Sequence, residues 1–116
     1  MTTKELDTVI LVSRNGMGSA DPELQIKLIS TYFQLLTENR ILPAAICFYA
    51  DGVKLVVNGS AVIEPLRSLE KMGVRLIICR TCLNYYKMED QVQVGIVGGM
   101  TDIIEAQSRS QKIISL

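Results

Sequence analysis

Two cysteines separated by two residues are the clearest candidates for chemistry in this sequence. Cys79 and Cys82 follow an apolar run that predicts a strand and precede a stretch that predicts a helix. A C-x-x-C at such a junction places thiols beside free backbone N–H groups at the positive end of a helix, which favours the thiolate. Such a thiolate exchanges disulfides, or takes up a sulfane sulfur as a persulfide, without a histidine base. The plain alternative is two small residues packed at a strand end, because free cysteine is commonly buried.

Five further residues are candidates for binding an anion near the thiols. Met17 and Gly18 belong to a Gly-Met-Gly loop whose backbone could approach an anion, although two glycines in a polar loop usually indicate only a tight turn. Lys54 is a candidate for holding an anionic sulfur species, and the alternative is a solvated lysine with a buried stem. Arg80 and Thr81 lie within the motif and are candidates through charge and helix capping, respectively.

The residue types that are missing exclude several kinds of chemistry. The sequence has no histidine and no tryptophan, and it has three cysteines. Without histidine there is no Ser-His or Cys-His dyad and no imidazole ligand. Three cysteines cannot complete a zinc site of four thiolates, and Cys47 lies in the middle of an apolar run, where a buried, inert thiol is the ordinary outcome. No metal and no cofactor is therefore predicted.

The composition predicts one soluble, cytoplasmic domain spanning residues 1–116. Apolar residues make up 48% of the chain, enough for a core, and the formal net charge is zero. A neutral chain lacks the electrostatic footprint of a nucleic-acid or anionic-membrane binder, so neither partner is expected. The apolar runs are too short for a spanning helix, and residues 1–7 do not resemble a signal peptide.

Strand and helix patterns alternate along the chain and predict an α/β fold with a mostly parallel sheet. Strands are predicted at residues 7–13, 44–49, 74–79, 92–97 and 112–115. Helices are predicted from Pro22, with Asp21 as the cap, to near Asn39, then at about 60–72, 83–88 and 101–108. In the first helix an apolar stripe at helical spacing predicts the buried face: Leu24, Leu28, Ile29, Tyr32, Phe33, Leu35 and Leu36.

Two stretches stay open on periodicity alone. Residues 51–59 fit either a strand or two helical turns. The next helix begins either with Ser60 as its cap or with Glu64 as its cap and Pro65 at the first position, where proline is tolerated. In a parallel sheet, ligands bind at the carboxyl ends of the strands. Three loops, at residues 14–20, 51–59 and 79–82, are therefore expected to converge there, with 98–101 as a fourth candidate.

Three strings together resemble a known family. The segments GVKL at residues 52–55, GS at 59–60 and GVRLIICRTCL at 73–83 are similar to the DsrE-like family, and most similar to the C-terminal domain of YedF-type, sulfurtransferase-like selenium metabolism proteins. The resemblance runs over nearly the whole chain. It implies a three-layer sandwich around a five-stranded parallel sheet, homo-oligomers, and a short helix over residues 51–57. It also implies that Cys79 aligns with the sulfur-carrying cysteine of the family and that Cys82 completes the CxTC of the YedF-like branch.

The resemblance predicts a sulfur-relay protein or sulfurtransferase whose Cys79 receives sulfane sulfur from a donor protein and passes it to an acceptor. YedF-type proteins usually have a TusA-like carrier domain ahead of this one, so a TusA-like partner in trans is expected. Two other hypotheses remain open. One is a thiol-disulfide redox protein, and the other is a subunit whose thiols are incidental and which binds a small ligand or assembles with partners.

Overall fold

The computed structural model describes residues 4–116, with side-chain surroundings from residue 8 onward, as a parallel sheet flanked by helices. The expectation about a signal peptide rests partly on residues 1–3, which lie outside the described residues. The strands are β1 Lys4–Val12, β2 Leu42–Phe48, β3 Arg75–Cys79, β4 Ile96–Gly98 and β5 Lys112–Ser115. The helices are α1 Pro22–Glu38, a 3₁₀ helix Ala50–Val56, α2 Ile63–Lys71, α3 Arg80–Tyr86 and α4 Met100–Arg109. No helix within residues 4–116 is long and apolar enough to cross a membrane.

The sheet has five strands in the order β4-β3-β2-β1-β5, and every neighbouring pair is parallel. This confirms the predicted α/β class. Val12 is the register partner of Phe48, and Phe48 is the partner of Ile78. Because the carboxyl ends of β1, β2 and β3 lie side by side, the segments that follow these strands meet at one edge of the sheet.

Helices cover the two faces of the sheet unequally. On one face α1 contacts α2, and the ring of Phe33 lies 6.3 Å from that of Phe48. On the other face α4 buries Ile103 and Ala106. Only part of the predicted α1 stripe is buried, because Ile29, Phe33 and Leu36 fill the arc that a helix presents to a sheet. The prediction was wrong for three leucines that lie beside this arc and are exposed: Leu24, Leu28 and Leu35.

The structure settles both stretches that periodicity left open. The 3₁₀ helix Ala50–Val56 confirms the short helix that the family resemblance implies. Neither predicted start of α2 is correct, because this helix begins at Ile63 and has Pro65 as its third residue. A proline is tolerated there because N–H groups in the first helical turn have no intrahelical partner. Ser60 instead accepts a hydrogen bond from the N–H of Val62, at 3.2 Å.

The predicted fourth strand over residues 92–97 was wrong in its bounds, because β4 covers only Ile96–Gly98. Val92 instead forms an isolated antiparallel bridge with Val57, so the start of the segment pairs with the chain that follows the 3₁₀ helix. Gly95, with a φ of +88°, then turns the chain towards β3. The apolar run at residues 92–97 therefore pairs with two different segments of the chain.

A glycine holds the 3₁₀ helix against the end of β1. The N–H of Tyr49 donates to the carbonyl of Val12 at 3.1 Å, and the N–H of Gly52 donates to the carbonyl of Tyr49 at 2.8 Å. A Cβ atom on Gly52 would lie 2.1 Å from the carbonyl oxygen of Val12. Only a hydrogen at this position permits the approach, and the approach fixes the start of the 3₁₀ helix.

We expect Gly52→Ala to lower the free energy of unfolding by roughly 2 kcal/mol or more, because the added methyl forces two backbone segments apart. Urea denaturation followed by circular dichroism measures the change. Gly99→Ala is the matched control, since Gly99 has a φ of −103° and open space around its Cβ position. We expect Gly99→Ala to lower the free energy of unfolding by less than about 1 kcal/mol. Equal losses in the two variants would contradict the close-approach argument.

Candidate functional site

The two cysteines of the C-x-x-C lie at the carboxyl end of β3. Cys79 is the last residue of β3 and the N-cap residue of α3, and Cys82 is the third residue of that helix. Residues three apart on a helical turn lie on the same side, so the two thiols face the same region. The predicted strand-to-helix junction is confirmed, although α3 begins at Arg80 rather than at residue 83 and so contains Cys82.

The two thiols differ in how far solvent reaches them. The exposed fraction of Cys79 is 1%, whereas Cys82 is half-buried. Neither forms a disulfide. Ile78, directly before Cys79, and Leu83, directly after Cys82, are fully buried. An incoming reagent therefore meets Cys82 first.

A backbone donor is directed at the more accessible thiol. The N–H of Ala50 donates to the Sγ of Cys82 at 3.0 Å, which links the end of β2 to α3. Ala50 adopts a left-handed conformation with a φ of +49°, which costs a residue with a Cβ about 1 kcal/mol or more. The strained turn places this N–H where it stabilises negative charge on sulfur.

Opposing effects set the pKa of Cys82, and the net result is an increase. Burial raises it most, and the hydrogen bond to Cys79 raises it next. The Ala50 N–H lowers it, and negative charge on Cys79 raises it again. Cys82 is thus mainly a protonated thiol at neutral pH, and its reactivity should increase with pH.

A cluster of three polar residues lies beside Cys82. The hydroxyl of Tyr86 donates a hydrogen bond to the carboxylate of Asp51, and Nζ of Lys54 lies 3.3 Å from Oδ1 of Asp51. Nζ of Lys54 also lies 4.6 Å from the centre of the Tyr86 ring. The hydrogen bond from Tyr86 is the largest cause of a lowered pKa at Asp51, and the same bond is the largest cause of a raised pKa at Tyr86. Lys54 is thus held in place, with its charge partly balanced.

The sequence analysis missed Asp51 as a site residue and gave Tyr86 no chemical role. A signal for Asp51 was present, because it is an acidic residue directly after a buried strand, in a loop expected to reach the carboxyl edge of the sheet. Nothing in the spacing of Tyr86 distinguishes it from a packing aromatic. Its contact with Asp51 spans 35 residues and depends on the tertiary fold.

A cleft of about 380 Å³ lies next to this cluster. Lys54 lines it together with Asn15 from the loop after β1, with Asn58, Gly59 and Ser60 from the loop after the 3₁₀ helix, and with Met88 from the segment after α3. Two of the loops expected to converge therefore do so around Lys54. A separate cavity of about 180 Å³, lined by Arg75 and Arg109 among others, lies by the first residues of β3 and the end of α4, away from the thiols.

The other predicted anion-binding residues lie outside this cleft. The N–H of Met17 donates to the carbonyl of Gln25 at 3.0 Å, and the carbonyl of Gly18 accepts from the Gln25 side chain at 2.6 Å. These bonds fold the Gly-Met-Gly loop back onto α1 as a turn. Arg80 and Thr81 are exposed, and Thr81 is the second residue of α3 rather than its cap.

The third cysteine behaves as a core residue. Cys47 is fully buried in β2, and burial raises the pKa of its thiol to about 11. This confirms the expectation of a buried thiol there. Across the described part of the chain, no group of three or more histidine, cysteine, aspartate or glutamate side chains comes together to hold a metal ion.

Comparisons with known proteins connect this architecture to a family. The family model described as the DsrE/DsrF-like family matches residues 8–116. No curated protein matches the chain by sequence.

Similar solved structures cover almost the whole chain. A protein of unknown function from Methanobacterium thermoautotrophicum has a TM-score of 0.68 at 18% identity, covering 98% of this chain and 99% of its own. The ychN protein from E. coli has a TM-score of 0.62 at 12% identity, covering 96% and 100%. A conserved protein of unknown function from Bacteroides thetaiotaomicron has a TM-score of 0.63 at 15% identity, covering 95% of this chain and 95% of its own. Identities this low support a common fold alone.

We expect Cys79→Ala to lower the pKa of Cys82, because it removes both the hydrogen bond and the charge that raise it. The burial contribution persists, so the pKa falls only in part. The pH dependence of Cys82 alkylation by iodoacetamide, located by peptide mass spectrometry, measures the shift. Cys47→Ala is the control and should leave the profile unchanged. An unchanged or higher midpoint of the alkylation profile in Cys79→Ala would contradict the claim that Cys79 raises the pKa of Cys82.

Proposed function

Because the chain belongs to the DsrE/DsrF-like family, we propose that it is a sulfur-relay protein that carries sulfane sulfur as a persulfide on its C-x-x-C. The observation that supports this most is the thiol pair at the carboxyl end of β3, with one accessible sulfur that accepts a hydrogen bond from the Ala50 N–H. Persulfide formation needs a thiolate and no general base. The site can therefore work without histidine.

We assign the entry of sulfur to Cys82. The family resemblance implies this role for Cys79, but this residue is only 1% exposed, and a donor protein cannot reach its sulfur without displacing the surrounding chain. In the proposed step the thiolate of Cys82 attacks the outer sulfur of a donor persulfide. A bond forms between that sulfur and Sγ of Cys82, and the donor leaves as a thiolate. The N–H of Ala50 stabilises charge on Sγ as Cys82 ionises.

The surroundings of Cys82 support binding of an anionic donor. Lys54 is half-buried at the edge of the cleft, and Asp51 and Tyr86 keep its ammonium group in place. The partners in this proposal are sulfur donor and acceptor proteins, with a TusA-like carrier in trans among them, and further copies of this chain. The closer likeness to the YedF-type branch is part of the same proposal.

The spacing of the two thiols, one helical turn apart, also favours a second function, thiol-disulfide exchange in which no sulfur atom is transferred. The two functions differ in what the protein gains. A relay protein gains a sulfur atom, whereas a redox protein only loses and regains two hydrogens.

We expect Cys79→Ala to gain one sulfur atom on Cys82 after brief incubation with glutathione persulfide, because Cys82 is the accessible thiol. Cys82→Ala should gain none. Below the pKa of Cys82 the rate of gain should rise with pH, up to about tenfold per unit, as the thiolate fraction rises. Intact-protein and peptide mass spectrometry measure the gain and its position.

Cys47→Ala serves as the control and should behave like the wild type. If Cys79 gains a sulfur atom in Cys82→Ala, the buried cysteine is the carrier. Loss of two hydrogens in the wild type, with no sulfur gained by either single variant and no sulfide released, would refute the relay and favour thiol-disulfide exchange.

A further inference from the structure

We propose that Cys79 resolves the persulfide of Cys82, so that the protein releases hydrogen sulfide and is left with a Cys79–Cys82 disulfide. This inference rests on the proposed function and goes beyond it. A simple relay passes its sulfur to an acceptor cysteine while the sulfur remains in the sulfane state. Resolution within the C-x-x-C instead delivers the sulfur as sulfide.

The positions of the two cysteines suit a disulfide. Cys79 is the N-cap residue and Cys82 the third residue of α3, so a single turn separates them. Residues three apart on a helical turn have Cβ atoms about 5–6 Å apart, and a disulfide needs Cβ atoms about 3.5–4.5 Å apart. Closing the bond therefore needs only a small local adjustment.

Burial decides which sulfur of the persulfide Cys79 attacks. Cys79, Ile78 and Leu83 are buried, whereas Cys82 is partly open to solvent. The added outer sulfur therefore extends towards solvent, and the inner sulfur, Sγ of Cys82, is the one nearer to Cys79, one helical turn away. Attack on the inner sulfur expels hydrosulfide. Attack on the outer sulfur would instead move the sulfane atom to Cys79, whose surroundings are closed to solvent.

The step balances in atoms and electrons. Sγ of Cys79 forms a bond with Sγ of Cys82, and the bond between Sγ of Cys82 and the outer sulfur breaks. The electron pair of the broken bond leaves with the outer sulfur, and the proton of Cys79 makes the product hydrogen sulfide. Over loading and resolution the two cysteines are oxidised by two electrons and the sulfane sulfur is reduced by two. A dithiol reductant must then reduce the disulfide before another cycle.

A single-turnover experiment without added reductant tests this proposal. The full-length wild type, Cys79→Ala and Cys82→Ala are each mixed with one equivalent of glutathione persulfide, followed by intact-mass measurement and trapping of released sulfide with monobromobimane. We expect the wild type to lose two hydrogens and to release about one equivalent of sulfide. Cys79→Ala should keep one extra sulfur on Cys82 and release little sulfide. Glutathione disulfide, the control probe, should release none from any protein.

The outcomes separate this inference from the function on which it rests. A wild type that keeps its extra sulfur as long as Cys79→Ala does would overturn resolution and leave the relay intact. An extra sulfur mapped to Cys79 in the wild type would also overturn it, since the sulfur would have been transferred rather than released. If no protein gains sulfur and none releases sulfide, the relay itself is refuted.

Discussion

The candidate site depends on how closely the 3₁₀ helix approaches the ends of the central strands. Gly52 lies against the carbonyl of Val12, and this contact sets where the chain turns after β2. That change of direction points the N–H of Ala50 at the sulfur of Cys82. The same helix positions Asp51 and Lys54 beside Tyr86 of α3. A backbone contact with no room for a single methyl group therefore determines the polar surroundings of the thiols.

The raised pKa of Cys82 is compatible with sulfur transfer. A thiol whose pKa lies one unit higher has about ten times less thiolate at a given lower pH. Its thiolate is also the stronger nucleophile, by roughly threefold per unit for a Brønsted slope near 0.4–0.5. The net loss in rate is thus about threefold per unit, which a bound, oriented donor can offset. Burial lowers the thiolate fraction, and the proposed resolving cysteine, Cys79, lies one helical turn away.

Sequence patterns predicted the elements whose signal is local. Asp21-Pro22 predicted the start of α1, and the C-x-x-C predicted the junction at the end of β3, because caps and short apolar runs act over a few residues. Tertiary pairing decided the features that were missed. Residues 92–97 look like one strand, yet Val92 pairs with Val57, far away in the sequence. The Asp51–Tyr86 contact and the difference in burial between Cys79 and Cys82 are likewise invisible to periodicity, because both arise when separate segments pack together.

The absence of histidine from the sequence agrees with chemistry that needs little proton transfer. Hydrolysis of an amide or ester requires a base to activate a hydroxyl and an acid to protonate a poor leaving group. Attack on a sulfane sulfur expels a thiolate or hydrosulfide, which leaves as a stable anion. What such a site needs is an accessible sulfur, a donor that stabilises its charge and a cation for the incoming anion. Cys82, the Ala50 N–H and Lys54 supply these three features, and in the proposed cycle Cys79, one helical turn away and closed to solvent, releases the bound sulfur.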